Sequence, residues 1–212
     1  MADLQFNAET HTYTLGGVKL PSVTTVLFDV GLYDFDFVSA ETLRIAAERG
    51  TIVHTYIEWY EQGVLDESSI DPELAGYFES YLRMKDAGLL PEKPSAIEQR
   101  VYSEKYKYAG TLDQMYEDDW INDIKSGLPG AEHGLQQSAY WLALHDDNML
   151  FKPRLLTCSY LHRDGTCGDL VKYRYEPLPW LAVLTDYRWR EKNGKIKDRR
   201  NECRKYFTRN KM

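Results

Sequence analysis

The chain has 212 residues, of which 43% are hydrophobic and 13% aromatic, a composition typical of one folded domain with a substantial core. It contains no apolar stretch of about 18 residues, so no membrane-spanning helix is expected. The first residues lack the basic and apolar segments of a signal peptide. Three cysteines without a CxxC pair argue against a zinc or iron–sulfur site and indicate reduced thiols in a cytoplasmic compartment.

The net charge of −7 argues against a nucleic-acid partner when only the total is considered. The distribution of charge is uneven, however. Residues 188–212 carry eleven Lys or Arg and three Asp or Glu, against 15 basic and 30 acidic residues in the first 187. This basic tail is either a phosphate-binding segment or a solvated terminus, and the sequence favours neither. Acidic clusters in the remainder are compatible with bound cations.

The first half of the chain combines a short β segment with helices. Residues 3–20 have the pattern of a β-hairpin, with Gly16 and Gly17 at the turn. Ser22 is placed to cap a helix over residues 23–30. Two further helices are predicted over residues 39–62, with a break at Gly50, and over residues 71–87.

The hydrophobic period changes at residue 96, where a strand-rich segment begins. Strands are predicted over residues 96–106, 108–116 and 120–125, a helix over 132–145, a hairpin over 155–161 and 170–175, and a final helix from Pro177 or Pro179 to about residue 192. This order predicts a single α/β domain with a mixed central β-sheet flanked by helices. Its parts are an N-terminal hairpin and helical segment (1–95), a core (96–192) and a basic tail (193–212).

Two aspartates and a lysine lie on neighbouring predicted strands, where such residues are disfavoured unless something compensates their charge. Asp123 and Lys125 share a face because they are two residues apart, and Ile124 faces the other side. A three-residue loop after Tyr116 sets Asp113 opposite Asp123, whereas a two-residue turn sets it opposite Ile124. With the longer loop, both carboxylates reach one hard cation such as Mg²⁺ or Mn²⁺. The alternative is a structural Asp–Lys pair on a solvated face.

Two helical pairs have the spacing to contribute to such a site. His54 and Glu58 lie one turn apart, so an imidazole ligand for the metal is expected, with Glu58 orienting it or ligating directly. Gln136 and Tyr140 have the same spacing and are expected to bind a phosphate or to position Lys125. Each pair by itself is equally compatible with an ordinary helix surface.

Five motifs follow one another in a specific order. They are Leu20-Pro21-Ser22-Val23-Thr24-Thr25, Gly50-x-x-x-His54, Glu98 followed by Gly110-Thr111-Leu112-Asp113, Asp123-Ile124-Lys125-Ser126-Gly127, and Gln136-x-x-x-Tyr140. Over residues 20–190 this order resembles the PD-(D/E)xK nucleases, and more narrowly their RecB-like exonuclease branch. The first motif is similar to the start of the mitochondrial genome maintenance exonucleases and their phage relatives.

The resemblance implies a restriction-endonuclease-like core and a role for each matching residue. It implies metal ligation by His54, Asp113, Asp123 and the Ile124 carbonyl, and catalysis by Lys125. It also implies that Glu98 is the acidic residue on the first strand of the family core and that Gln136 and Tyr140 are the helix pair, all three among the catalytic residues. Candidate DNA contacts are Ser22, Thr24 and Ser126. The chain lacks the four cysteines of the iron–sulfur members, and it has no GxxxxGK[ST] loop for a nucleotide.

The expected function is that of a metal-dependent exodeoxyribonuclease that requires Mg²⁺ or Mn²⁺ and no nucleotide. The expected substrate is single-stranded or free-ended DNA in phage or bacterial recombination or repair. One alternative is a ring-forming exonuclease that digests duplex DNA. Another is a catalytically silent DNA-binding or assembly module on the same fold. An intact set of Asp113, Asp123 and Lys125 argues against the silent module.

Overall fold

The computed structural model describes residues 4–7, 10, 12–33, 38–117, 119–145 and 147–196. The strands in these ranges are β1 (Leu4–Asn7), β2 (Thr12–Leu15), β3 (Val18–Leu20), β4 (Ala96–Ser103), β5 (Tyr108–Tyr116), β6 (Trp120–Lys125), β7 (Leu155–Tyr160) and β8 (Asp169–Tyr173). The helices are α1 (Val23–Val30), α2 (Ala40–Gln62), α3 (Ala75–Asp86), α4 (Glu132–Leu144) and α5 (Pro177–Lys192). Most of the predicted basic tail, from residue 197 onward, lies outside the described residues.

A five-stranded sheet in the order β4-β5-β6-β7-β8 forms the centre of the domain. All neighbouring strands in it are antiparallel except β6 and β7, which run parallel with α4 as the crossover between them. The predicted mixed α/β sheet is therefore confirmed. Among the helices of the described residues, none combines the length and the apolar character needed to cross a bilayer.

The predicted N-terminal hairpin is confirmed as β2 and β3 with Gly16 and Gly17 at the turn, and β1 adds a third strand beside β2. The predicted helix break was wrong. The helix over α2 continues through Gly50 without a break. Gly50 is the point at which the helix approaches the end of β6, since a Cβ atom there would lie 3.9 Å from Ser126 Oγ. The glycine thus reflects packing rather than the end of a helix.

Helices cover both faces of the central sheet. Helices α1, α4 and α5 pack on one face, where α4 supplies Ala139, Trp141 and Leu142 to the largest apolar cluster. Helices α2 and α3 pack on the other face, in a second cluster that includes Ile57 and Ile124. The N-terminal sheet lies over the start of β5 through Ala109, whose N–H donates to the Pro21 carbonyl. Each layer therefore buries one apolar face of the sheet.

The regular alternation of side chains along β5 is interrupted at Asp113. Leu112 packs in the cluster beneath α4, but Gln114 bonds to Tyr81 of α3 on the opposite side. Side chains two apart on a regular strand share a face, so the backbone twists sharply between these positions. Glu98 and Asp113 lie between the pairs Ile97↔Gln114 and Gln99↔Leu112, and the φ of Glu98, 48°, lies in the left-handed region. The distortion is thus shared by both strands at this level.

The same position marks the end of regular pairing between β5 and β6. The ladder runs through Tyr116↔Trp120 and ends at Gln114↔Asn122. This is the register of a three-residue loop, as the site requires, although Asp118 within that loop lies outside the described residues. Beyond the ladder, the Ile124 N–H donates to Asp113 Oδ2 at 2.7 Å. A side-chain carboxylate therefore replaces the backbone carbonyl that a continued ladder would supply.

Two helical glycines differ in the room around them, and we expect opposite effects of alanine on stability. A Cβ atom at Gly76 in α3 would lie 1.9 Å from the Arg163 carbonyl oxygen, so Gly76→Ala is expected to destabilise the fold by about 1–3 kcal/mol. Gly50→Ala meets only ordinary contact and gains helix propensity, so stabilisation by up to about 1 kcal/mol is expected. Urea unfolding of both variants measures this, and equal effects would contradict the packing.

Candidate active site

One cavity of about 670 Å³ opens where β5 and β6 separate. Its walls come from β4, β5 and β6, from the middle of α2, from α4, and from the N-terminal sheet. The predicted site residues in its lining are Ser22, Thr24, His54, Glu58, Glu98, Asp113, Asp123, Lys125, Gln136 and Tyr140. Residues from six separate segments of the chain thus converge on a common space.

Three side chains in the lining of this cavity form a candidate metal-binding group. His54 Nδ1 is 3.5 Å from Asp113 Oδ2 and 3.8 Å from Glu98 Oε1. One donor atom from each of the three residues lies within 4.8 Å of the other two. A single cation bound at about 2.0–2.6 Å from each donor requires separations of this size. The group therefore fits one divalent ion, and its nitrogen donor favours Mn²⁺ over Mg²⁺.

The imidazole of His54 is held from both of its nitrogens. Nε2 lies 2.8 Å from the Ile124 carbonyl oxygen, and Nδ1 faces the two carboxylates. The Nε2–H donates a hydrogen bond to the carbonyl, which leaves Nδ1 as the nitrogen available to a metal. The Ile124 carbonyl thus orients the histidine, whereas the resemblance implied that it ligates the metal.

A second set of polar contacts fixes the lysine. Lys125 Nζ forms an ion pair with Asp123 Oδ2 and donates a hydrogen bond to Gln136 Oε1 at 3.1 Å. Gln136 Nε2 in turn donates to Tyr140 Oη at 3.0 Å. Asp123 is almost fully buried, at 2% exposure. The ammonium group is consequently held at one place on the cavity wall, although its side chain remains 21% exposed.

Two small residues of β5 allow this packing. A Cβ atom at Gly110 would lie 2.4 Å from Cε1 of Tyr140, so the tyrosine ring occupies the space that any side chain would need. Thr111 Oγ1 shares a 2.8 Å hydrogen bond with the hydroxyl of Tyr13 from the N-terminal sheet. The Gly-Thr pair before Leu112 and Asp113 is therefore explained by contacts on both faces of the strand.

When no metal is bound, the surroundings of Asp113 and Asp123 disfavour the ionised form of their carboxylates. Burial raises the pKa of Asp113 with a contribution from Glu98, although His54 and the Ile124 N–H act the other way. Burial and Asp113 likewise raise the pKa of Asp123 despite its pairing with Lys125. Burial alone would lower the pKa of His54, but Asp113 and Glu98 outweigh it and raise the pKa to about 9. A bound cation would stabilise the ionised carboxylates.

Glu58 and Asp123 have different neighbours from those expected. Glu58 does not orient His54 through a contact in the described residues, because its Oε1 accepts a hydrogen bond from Gln62 Nε2. The carboxylates beside the imidazole are Glu98 and Asp113. Glu98 therefore belongs to the candidate metal group, while Asp123 pairs with Lys125 and lies outside that three-residue cluster. Metal ligation by Asp123 stays a prediction. Glu98 and Asp113 are neighbours because they lie at the same level of β4 and β5, between the pairs Ile97↔Gln114 and Gln99↔Leu112.

The predicted DNA contacts occupy defined structural positions. Ser22 Oγ accepts the Thr25 N–H at 3.0 Å and so caps α1, as expected from the sequence. Ser126 follows β6 and receives two hydrogen bonds from the Arg49 guanidinium, at 3.4 Å to Oγ and 3.3 Å to the carbonyl. Thr24 lies in the cavity lining together with Ser22. Any contact of these residues with DNA stays a prediction.

Sequence reasoning missed three residues around the site. Tyr13 and Phe6 of the N-terminal sheet line the cavity, although the hairpin pattern indicated only their apolar character. Arg49 ties α2 to the end of β6. Its position one residue before the Gly50 motif is the only signal that the sequence offers. The contribution of the N-terminal sheet had no signal at all, because it depends on long-range packing.

Comparison with known proteins adds little to this geometry. No protein-family model matches the chain, and no curated protein matches it. The chain is similar to the crystal structure of a candidate exonuclease from Eubacterium rectale, at 12% identity and a TM-score of 0.48. That similarity covers 70% of this chain and 69% of the other. Because both measures are low, the interpretation of the site rests on its geometry.

Neutralising one carboxylate is expected to stabilise the metal-free protein. The folded-state pKa of Asp113 is raised, so ionised Asp113 destabilises the fold, and stability is lost as pH rises through that pKa. At neutral pH, Asp113→Asn should raise the Tm in EDTA by about 2–4 °C, which is the effect of about 1 kcal/mol on a domain of this size. The Tm increase that Mn²⁺ gives the wild type should disappear.

Differential scanning fluorimetry with EDTA and with Mn²⁺ measures both effects. Glu92→Gln is the matched control, because Glu92 is exposed and its substitution removes one negative charge outside the cavity lining. A lower Tm for Asp113→Asn in EDTA, together with an undiminished response to Mn²⁺, would contradict the proposed electrostatics and metal site.

Proposed function

We propose that the protein is a metal-dependent deoxyribonuclease that hydrolyses phosphodiester bonds, acting as an exonuclease on single-stranded or free-ended DNA. The observation that carries the proposal is the meeting of two different groups in one cavity. His54, Glu98 and Asp113 form a metal-binding group, and Lys125 is fixed beside it by Asp123 and Gln136. Hydrolysis of a phosphodiester needs these two functions together, and neither a structural ion pair nor a simple binding module does.

The side chains have complementary tasks in this mechanism. His54, Glu98 and Asp113 would hold the cation, and Asp123 lines the same cavity. When bound, a divalent cation supplies polarisation of the scissile phosphate and a lower pKa for the attacking water. Lys125 donates hydrogen bonds to a phosphate oxygen and stabilises the negative charge that develops on it. Because its ammonium is already anchored, little reorganisation accompanies the reaction.

The helix pair supports the lysine rather than the substrate. Gln136 uses its carbonyl oxygen for Lys125 Nζ and its amide nitrogen for Tyr140 Oη. Both residues are buried, and the Tyr140 ring is fixed against Gly110. We therefore assign Gln136 and Tyr140 a positioning role through Lys125. This arrangement also explains the i, i+4 spacing of the pair, which aligns both side chains along one face of α4.

The shape of the cavity favours a strand end as substrate. Its volume of about 670 Å³ is in the range that bound small molecules occupy in proteins. A space of this size suits the terminal nucleotides of a single strand better than an uninterrupted duplex. Ala47, Gly50 and Thr51 of α2 form part of the cavity wall on the side of His54. Free-ended DNA is thus the substrate that fits best, in the setting of phage or bacterial recombination or repair.

Removal of the lysine or of its partner is expected to abolish cleavage. Lys125→Ala and Asp123→Ala should each reduce the rate by at least about 100-fold, since loss of one preorganised electrostatic contact to a developing charge costs this much. The measurement uses end-labelled single-stranded and duplex DNA with Mn²⁺, and a circular substrate distinguishes exonuclease from endonuclease action. Lys93→Ala and Asp86→Ala, at exposed positions, are the matched controls. Wild-type rates in either site variant, with an intact fold, would overturn the assignment.

Loss of the imidazole is expected to weaken metal binding before it weakens chemistry. His54→Ala should raise the Mn²⁺ concentration for half-maximal activity more than about tenfold, because even partners of metal ligands commonly contribute that much. Saturating Mn²⁺ should restore part of the rate. Metal titrations of activity provide the measurement, with His162→Ala as control because His162 is half-buried and is not part of the cavity lining. An unchanged metal dependence would remove His54 from the ligand set.

A further inference from the structure

We propose that Arg100, seated on the ring of Phe6, is a subsite for a backbone phosphate of the DNA strand adjacent to the scissile bond. The inference deepens the proposed nuclease function and rests on it. It concerns the edge strand β4, which lies beside the metal-binding group. No motif in the sequence pointed to this arginine, and none of the roles described above uses it.

Three residues of β4, each two positions from the next, lie between the N-terminal sheet and the metal group. Tyr102 packs against the apolar cluster of the N-terminal sheet. Arg100 follows with its guanidinium over Phe6, and Glu98 then stands beside His54. Arg100 is two residues from Glu98 along β4, and a separation of two residues, about 6.6 Å in a regular strand, is comparable with the step between neighbouring phosphates of one DNA strand. A DNA strand bound at Arg100 would therefore reach the metal group within about one nucleotide.

An aromatic stack holds the guanidinium in place. Arg100 Cζ lies 5.3 Å from the centre of the Phe6 ring, which is within the range of a cation–π interaction. The Phe6 ring is in turn 4.7 Å from the ring of Tyr13, tilted by 35°. Tyr13 is anchored to Thr111 of β5 by its hydroxyl. Through this chain of contacts, the orientation of Arg100 is coupled to the strand that carries Asp113.

The charge of Arg100 has no carboxylate partner among the described residues. Among the described arginines, Arg44 and Arg190 pair with acids and Arg188 with backbone carbonyls. What distinguishes Arg100 is its position, because its guanidinium lies over Phe6, a residue of the cavity wall. Since Arg100 is exposed, its donors are available to an outside anion.

A phosphodiester is the anion that these features fit. A guanidinium binds phosphate oxygens in a bidentate manner and stacks on aromatic rings at the same time, which an ammonium does not do equally well. Phosphate contacts position a nucleic acid without regard to base sequence. Phe6 also lines the cavity that contains Asp113 and Lys125, so a strand held there passes directly to the reacting groups. Arg100 is thus assigned a role in substrate binding and register.

The test compares Arg100→Gln with Arg83→Gln, which removes the same charge from an exposed site on α3. Binding of a short fluorescent single-stranded oligonucleotide is measured in EDTA over a range of salt concentrations, and cleavage is measured with Mn²⁺. Arg100→Gln should weaken binding about tenfold and reduce the salt slope by about 0.7, the value for one phosphate contact on a single strand. KM should rise with little change in kcat. Arg100→Lys should keep the slope but bind more weakly.

The outcomes separate this inference from the proposed function. If the wild type cleaves DNA but Arg100→Gln has an unchanged salt slope and KM, the subsite is wrong and the nuclease assignment stands. If the wild type binds DNA without cleaving it and Arg100→Gln still reduces the slope, the subsite stands and hydrolysis is wrong. Absence of both binding and cleavage in the wild type would overturn both. If Phe6→Leu weakens DNA binding as much as Arg100→Gln does, and the double variant binds no more weakly, the result supports the stacking of Arg100 on Phe6.

Discussion

The hydrogen bond from the Ile124 N–H to the Asp113 carboxylate organises the rest of the site. Strands β5 and β6 pair regularly from the Tyr116↔Trp120 pair to the Gln114↔Asn122 pair and then separate. A separated strand would leave a buried N–H without an acceptor, which is costly, and the Asp113 side chain supplies one. The sheet can therefore open at its centre without losing that hydrogen bond. The resulting space is the cavity in which the polar groups meet.

The opening also determines which charges become neighbours. Asp123 remains in the regular part of β6 and pairs with Lys125, while Asp113 turns toward His54 and Glu98. One sheet thus carries two adjacent polar groups with different tasks, one suited to a cation and the other to an anchored ammonium. Burial opposes ionisation of both aspartates when no metal is bound. A bound cation would favour the ionised form of both aspartates.

The N-terminal sheet has a larger role than its size suggests. It caps the end of β5 through Ala109, bonds Thr111 through Tyr13, and carries Phe6 to the cavity wall. These contacts involve a segment nearly one hundred residues earlier in the chain. The proposed phosphate subsite at Arg100 depends on them, because Phe6 holds the guanidinium. Scaffold and substrate contact are therefore provided by the same small sheet.

The sequence by itself determined the element order, the mixed sheet and the identity of the polar residues, because these follow from local periodicity and motif spacing. Tertiary structure alone decided which of them touch. Alternation along β5 would set Leu112 and Gln114 on one face, but the twist at Asp113 and the left-handed Glu98 separate them. The same twist brings Glu98, rather than Asp123, to His54. Contacts across a sheet depend on strand register and on packing between distant segments, and neither is encoded in the spacing of residues along one strand.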